Sequence, residues 1–366
     1  MLDRWRTKLN IFGKKRQKVF VGLSGGVDSA VSAALLVRAG YDVTGVFIRI
    51  ALSGYACSAG EDKIQAMRVA AHLRIPFIEI DLSAEYGAQV FAHSLGEFKK
   101  GNTPNPDTLC NREIKFGAFY TFARARGADY VATGHYAQTK EGKLYAGADQ
   151  NKDQSYFLWM VKEDILKHTL FPVGGMQKLE VRALATKFGL PNARRKDSQG
   201  LCFLGDIAME DMLARELTPV QGDVLSESGE VVGTHDGAVL YTLGERHGFT
   251  LFPHTKETLP HFVIAKNIEK NTITVSTDRF PQHATKTQVQ LSETNWIGGA
   301  QPSVAQARFR YRQKRMPAEI AANKNNITLL EPHYVPAGQS LVLYTEEAGM
   351  LRCLGGGIVN KSELLS

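Results

Sequence analysis

The sequence predicts an α/β protein: a doubly wound parallel sheet, followed by a small β-rich central domain and a C-terminal β-barrel. Three observations carry this. Short β-branched runs alternate with stretches of helical periodicity from Lys18 to Leu217, the pattern of strands joined by crossover helices. From Gly222 onward that alternation gives way to short β-type runs separated by turn residues, as in small all-β modules. The chain is 366 residues long and 43% hydrophobic, too long for one core and rich enough for several. The expected divisions are a basic extension over 1–17, a catalytic α/β domain over 18–217, a central domain over 218–280 and a barrel over 281–366.

Val19 to Leu23 is a buried first strand, and Ala30 to Leu36 carries apolar residues at helical spacing. Tyr41 to Arg49 is a second strand, Glu61 to Arg74 a helix, Pro76 to Leu82 a third strand, and Ala84 to Lys100 a helix. A helix over Asn111 to Arg126 leads to a fourth strand, Tyr130 to Tyr136. Further helices are expected over Phe157 to Leu166 and Val181 to Phe188, then a polar loop over Pro191 to Gly205. The central strands are Asp223 to Leu225, Glu230 to Val232, Val239 to Tyr241, His261 to Ala265 and Thr272 to Val275. The barrel strands are Gln288 to Leu291, Ala307 to Tyr311, Ile327 to Leu330, Ser340 to Tyr344 and Met350 to Leu354.

The formal net charge is +7 and the pI near 9.1, a balance that suits a polyanionic partner. Four cysteines, Cys57, Cys110, Cys202 and Cys353, form no CxxC pair, which argues against a zinc site. The first residues are basic and lack the apolar core of a secretory signal, so a reducing cytoplasmic setting is expected. No run of ~18 apolar residues exists to span a membrane.

Chemistry concentrates in four stretches. Ser24-Gly25-Gly26-Val27-Asp28-Ser29 follows the first strand and opens a helix. Such a turn aims backbone N–H groups and a helix dipole at one spot, which suits phosphate. The lysine of a Walker loop is absent, which argues against ordinary phosphoryl transfer. A carboxylate beside phosphate is repulsive without an intervening cation, so Asp28 is read as a partner of Mg²⁺. Cys110, in the loop Gly101 to Arg112, is either a thiol of lowered pKa near a helix start or a buried structural cysteine. Cys202, after a glycine in a polar loop and behind the basic run Arg194-Arg195-Lys196, is either a thiol in a thiolate-favouring setting or a small apolar residue that fills the loop. Thr133-Gly134-His135-Tyr136 ends the fourth strand on the sheet edge that carries the glycine turn. Gly134 there permits close approach of a nucleotide, and His135 either bonds substrate or caps the strand.

SGGVDS resembles the PP-loop of the ATP pyrophosphatase group, a HUP-like fold. The ordered set SGGVDS, GNTPNPDTLCNREIKF, ATGHYA, NKDQSYFL, DSQGLCFLG, RYRQ and AGQSLVLY is similar to the bacterial tRNA-specific 2-thiouridylase family, from about Lys18 to Gly357. That resemblance implies ATP-dependent 2-thiolation of the wobble uridine of tRNA, with adenylation of the uridine C2 oxygen before sulfur enters. It implies that Cys202 carries a persulfide and that Cys110 is its partner thiol, through a transient disulfide. Asp107 is implied as an acid/base group, with Asn105, Pro106 and Asp107 around the target base. ATP would meet Gly22, Leu23, Ser24, Gly25, Gly26, Val27, Asp28, Ser29, Ile48 and Gly134, with Mg²⁺. The position of Ile48 is commonly Met in the family, and either supplies an apolar wall. Transfer RNA would meet His135, Lys152, Asp153, Gln154, Arg310, Tyr311 and Gln339.

Arg308, Arg310, Arg312, Lys314 and Arg315 alternate on a strand-like run, read as an RNA-facing ladder in preference to a solvated edge. Gln199, where the family often has Thr, and the Leu251 to Leu259 loop depart from the family pattern without touching the chemistry. The family implies tRNAs for Lys, Glu and Gln, and a sulfur donor that is a cysteine desulfurase or a relay protein. If the Cys110 loop is mobile, the two thiols lie far apart before tRNA binds. The competing readings are an amide-forming PP-loop synthetase, which needs no paired thiols, and a non-catalytic RNA-binding protein.

Overall fold

The computed structural model describes residues 16–52, 54, 55, 59–197, 209–252, 259–281 and 283–366. Cys202, Gln199, Cys57, the extension before residue 16 and most of the Leu251 to Leu259 loop lie outside them.

Strands β1 (Lys18–Gly22), β2 (Asp42–Arg49), β3 (Phe77–Asp81), β4 (Tyr130–Ala132) and β7 (Thr169–Leu170) form a parallel sheet in the order β3-β2-β1-β4-β7. Alternation along β1 explains the double winding. Val19 and Val21 enter one core while Phe20 enters the other, and all three are buried. With both faces covered, the strand must be apolar at successive positions. The order reverses between β1 and β4, so the loops after these strands open into one crevice, the position where α/β sheets take ligands.

The expected fourth strand, Tyr130 to Tyr136, stops at Ala132, and β5 (Ala137–Lys140) and β6 (Lys143–Ala146) form a hairpin in a stretch to which the sequence reading assigned no element. β6 pairs with the last strand of the chain, Arg352 opposite Tyr145. A hairpin completed by a strand two hundred residues away carries no local signal of its own.

The central domain is a five-stranded sheet, β10 (Phe249–Leu251), β9 (Val231–His235), β8 (Gly222–Leu225), β12 (Thr272–Ser276) and β11 (Phe262–Asn267), in that order. The expected strand over Val239 to Tyr241 is instead a 3₁₀ turn, Ala238–Leu240, which delivers Ala238 and Tyr241 to the core.

Six strands close the barrel: β13 (Lys286–Trp296), β16 (Asn326–Leu329), β15 (Met316–Ile320), β14 (Val304–Arg308), β17 (Ser340–Glu347) and β18 (Met350–Leu365), which pairs back onto β13. The sequence reading lacked β15. Its second residue is Pro317, which offers no ladder donor and breaks the strand signal. One core runs from the parallel sheet into the barrel, through Tyr156, Trp159, Val342, Tyr344 and Cys353.

Candidate active site

The glycine turn after β1 is held by its own side chains. Ser29 Oγ accepts from Ser24 N at 3.3 Å and donates to Gly26 O at 3.1 Å, and Ser24 Oγ accepts from Gly26 N. Gly25 has φ +79°, and a Cβ there would lie 2.5 Å from Asp62 O, so glycine is required twice over. The Gly25 carbonyl accepts from Asn192 Nδ2 at 2.8 Å and Arg195 Nη1 at 3.2 Å. Gly134 packs against the start of the Val27–Arg38 helix, where a Cβ would lie 2.6 Å from Ser29 N. The close approach that Gly134 permits is thus to the turn's backbone.

Asp28 has a protein cation. Lys178 Nζ lies 2.7 and 2.8 Å from its two oxygens, and Tyr136 Oη donates to Oδ1 at 2.8 Å. The electrostatic need first assigned to Mg²⁺ is met by a lysine. Among the described residues no cluster of three His, Cys, Asp or Glu could hold a metal. Lys178 also meets Asp197 Oδ1 at 2.8 Å, and Asp197 Oδ2 accepts from Lys152 Nζ at 2.9 Å. Burial pushes the Asp197 carboxyl upward, but hydrogen bonds from Lys178 and Lys152 outweigh it and hold the pKa at about 2. A chain of charges therefore runs from the glycine turn through Asp28, Lys178 and Asp197 to Lys152.

A second cluster lies along the seam with the barrel. The helix that carries Cys110 starts earlier than the sequence suggested. Asn105 is its N-cap, accepting from Thr108 N at 3.2 Å, and Pro106 takes the first helical position. Pro106–Leu109, Cys110–Ala118 (a π-helical stretch) and Phe119–Ala125 follow without interruption. Cys110 is fully buried, in the second turn and not at the cap. Arg112 is turned to Glu113 and to Glu293 of the barrel, 2.9 Å away, so its charge is spent on carboxylates.

This seam gathers most of the residues expected to meet RNA. Asn111 Nδ2 donates to Phe157 O at 3.2 Å, and the Phe157 ring packs on Tyr311 with centroids 4.7 Å apart. Arg312 Nε donates to Asn151 O at 3.2 Å, tying the Lys152 turn to the barrel turn. The Gln339 loop reaches the Asn105 loop through Thr103 N donating to Ala337 O at 2.8 Å.

Three expectations are corrected. The arginine ladder does not exist: β14 ends at Arg308, the chain turns, and Arg312 sits at φ +61°. Arg308 is buried and bonds Asp153 Oδ2 at 2.8 Å and Tyr344 Oη. Asp153 is itself buried, its other oxygen accepting from Gly147 N and Ser155 N. Its side chain is an internal brace that presents Lys152 and has none left for RNA. His135 is buried between Phe116 and Phe171, with Nδ1 2.6 Å from Thr133 Oγ1. Burial, then the charge of Lys115, pushes its pKa well down, so the ring is neutral at pH 7. Gln154 Oε1 accepts from Tyr136 N at 3.0 Å, which fixes the strand end.

Profiles of known families match three successive stretches. These are the tRNA methyl transferase HUP domain over residues 17–206, the tRNA methyl transferase PRC-barrel domain over 210–277, and the aminomethyltransferase beta-barrel domain over 286–359. The tRNA-specific 2-thiouridylase MnmA of Enterococcus faecalis is 39% identical over 363 residues, spanning 95% of this chain and 96% of that one. The protein of the same name from Francisella tularensis is 39% identical over 361 residues, spanning 94% and 99%.

The chain belongs to the tRNA-specific 2-thiouridylase family.

Among solved structures, NMN synthetase from Francisella tularensis superposes with a TM-score of 0.36 and 18% identity over 58% of this chain and 78% of that one. The family assignment rests on the full-length relatives, not on this partial likeness. The sequence reading gave no role to Lys178, Asn192 or Asp197, and it set Arg308 on an RNA-facing edge where the structure buries it. Lys178 and Asn192 lie in a helix start and a loop far from the glycine turn in sequence, and only folding joins them. Cys353 is buried in the shared core, where burial pushes its thiol up to about 12. No helix among the described residues is long and apolar enough to cross a membrane.

Proposed function

We propose that the chain catalyses ATP-dependent 2-thiolation of the wobble uridine of tRNA. The observation that carries this reading is the pairing of two sites in a member of this family. One is a phosphate-type glycine turn, and the other is a Cys110 helix bordered by the barrel. The charge chain from Asp28 to Lys152 supports their working together.

In this reading the turn from Gly22 to Ser29 takes the ATP phosphates on its backbone N–H groups, with Ile48 and Gly134 bordering the nucleotide. Mg²⁺ would be held by the triphosphate oxygens and would neutralise their charge, with Asp28 engaged by Lys178. The uridine C2 oxygen attacks the α-phosphorus, diphosphate leaves, and the C2–O bond becomes one that can break. Cys202 carries the sulfur as a persulfide. The Cys110 thiolate attacks the Cys202 sulfur, a Cys110–Cys202 disulfide forms, and hydrosulfide is released. Hydrosulfide adds to C2, AMP leaves, and 2-thiouridine remains. The two electrons that reduce the sulfane sulfur come from the cysteines, so an external dithiol must reopen the disulfide.

Cys110 is fully buried, so the attack requires its helix start to be uncovered first. Asn105, Pro106 and Asp107 at that start would meet the target base, with Asp107 as acid/base. Because the base must leave its stack, binding and exposure of Cys110 are expected to coincide. Lys152 and Arg310 would hold phosphate, Tyr311 and Gln339 the anticodon arm, with His135 and Gln154 shaping the floor. The expected substrates are the Lys, Glu and Gln tRNAs, and the sulfur donor a cysteine desulfurase or a relay protein in the cytoplasm.

The test is incubation of wobble-uridine tRNA with the chain, ATP-Mg²⁺ and a persulfide donor, followed by nucleoside mass analysis. Equal yields of 2-thiouridine and AMP are expected. AMP formed only when a carboxylate and an amine are supplied would move the chain to the synthetase reading.

A further inference from the structure

A cleft where the central domain meets the barrel carries two arginines. It is lined by Arg279, Arg310, His333, Phe280, Tyr334 and Leu243, among others. Arg310 spans the seam, donating from Nη2 to Leu243 O at the long distance of 3.4 Å. Among the described residues neither Arg279 nor Arg310 has a carboxylate within 4 Å, although both line one cleft. Burial, then the nearby charge of Arg279, depresses the Arg310 pKa; Glu245 attracts it from farther off, with one oxygen already accepting from Thr242 N. His333 lies below its ordinary pKa, burial being the main cause, and its Nε2 is 3.5 Å from Glu331 Oε2, too long for a strong bond. Both arginines keep exposed surface in this cleft, so an anion can reach them and take charge-assisted hydrogen bonds from both.

The walls narrow the choice of anion. Phe280 and Tyr334 pack in a tilted pair with centroids 5.3 Å apart at 38°, and Phe280 meets the His333 ring edge-on at 6.1 Å. Arg279 lies over the Phe280 ring at 5.2 Å. A forked pair of donors beside flat aromatic faces fits a phosphodiester with its nucleoside alongside, the chemistry of RNA backbone recognition. Arg310 and Tyr311 adjoin the Cys110 helix through Phe157, so a strand in this cleft runs on toward Cys110.

We propose that this cleft is a seat for an RNA backbone phosphate, with Arg279 of the central-domain side and Arg310 of the barrel as its two prongs. The proposal rests on tRNA being the substrate and adds the central domain to the RNA-binding surface. Seating the phosphate clamps the two domains across their seam.

The experiment is a titration of unmodified wobble-uridine tRNA into the full chain at salt from 50 to 200 mM, for wild type, Arg279→Ala, Arg279→Gln and Arg279→Lys. Each phosphate neutralised contributes a slope of roughly 0.7 to 0.9 in log K against log salt. Arg279→Ala is expected to lower the slope by about that much and weaken binding severalfold at the lowest salt. Arg279→Lys should keep most of the slope. A slope in Arg279→Ala equal to wild type, in protein with an unchanged thermal melt, overturns the proposal. If Arg279→Ala melts early, Arg279→Gln decides: a slope lowered by about one phosphate with an intact melt supports the seat, and a slope at the wild-type value overturns it. Thiolation is assayed in parallel. Wild type that binds with the expected slope change yet makes no 2-thiouridine would sink the functional reading and leave the phosphate seat standing.

Discussion

Asp28 shows how far a single residue can be read from its neighbours in sequence. Its place after two glycines marked it as a carboxylate needing a cation. Which cation supplies the charge depends on Lys178, 150 positions away, on both oxygens. Removing that ammonium strips Asp28 of its cation beside the expected phosphate site, while Asp197 keeps Lys152 and Arg182. Lys178→Ala should therefore raise the ATP KM by at least about tenfold, roughly 1.4 kcal/mol, with a smaller change in tRNA affinity. An ATP KM unchanged in steady-state assays would show that Lys178 only braces the fold. Asp197 carries its own pH signature. Its folded pKa of about 2 lies below the ordinary 3.8, so its stabilising share is present above about pH 4 and lost as pH falls toward 2. Asp197→Asn should flatten the acid limb of the unfolding curve in that window; an unaltered limb would contradict the charge network.

At the scale of elements, the Cys110 helix was partly legible. The sequence placed a helix after the proline-rich loop and started it at Asn111. The two prolines read as loop, yet Asn105 followed by Pro106 is itself a start signal, a cap and a residue pre-set for the first turn. Because Asn105 caps one orphan N–H, Asn105→Ala should cost about 1 kcal/mol, seen as an earlier thermal melt. An unchanged melt would mean that the start is held by tertiary contacts alone. The arginine run failed for a different reason. Alternation predicts a strand, but β14 ends at Arg308 because its guanidinium finds Asp153 and Tyr344 inside. Burial of a charge depends on a partner from another domain, which periodicity does not report.

Across the whole molecule, the class of fold was visible because it follows from local pattern. The joining of domains was not. The core that links the parallel sheet to the barrel and the β6–β18 pairing both depend on residues far apart in sequence. Arg308 and Asp153 are the buried charged pair of that junction. Removing one partner strands the other in the core, so Arg308→Ala should cost about 3–5 kcal/mol. Pairing it with Asp153→Ala should recover part of that loss in a double-mutant cycle. Strictly additive losses would deny the pair any coupling. The Cys110 helix, the Lys152 turn and the barrel loops meet at this junction, so the barrel fixes the rim of the proposed active site.

The most direct measurement is single-turnover thiolation of wobble-uridine tRNA by wild type, Cys110→Ser and Cys202→Ser, with ATP-Mg²⁺ and a persulfide donor. Paired thiols predict 2-thiouridine from wild type alone, with tRNA still bound by both variants. Thiolation that survives either substitution contradicts the role assigned to that cysteine.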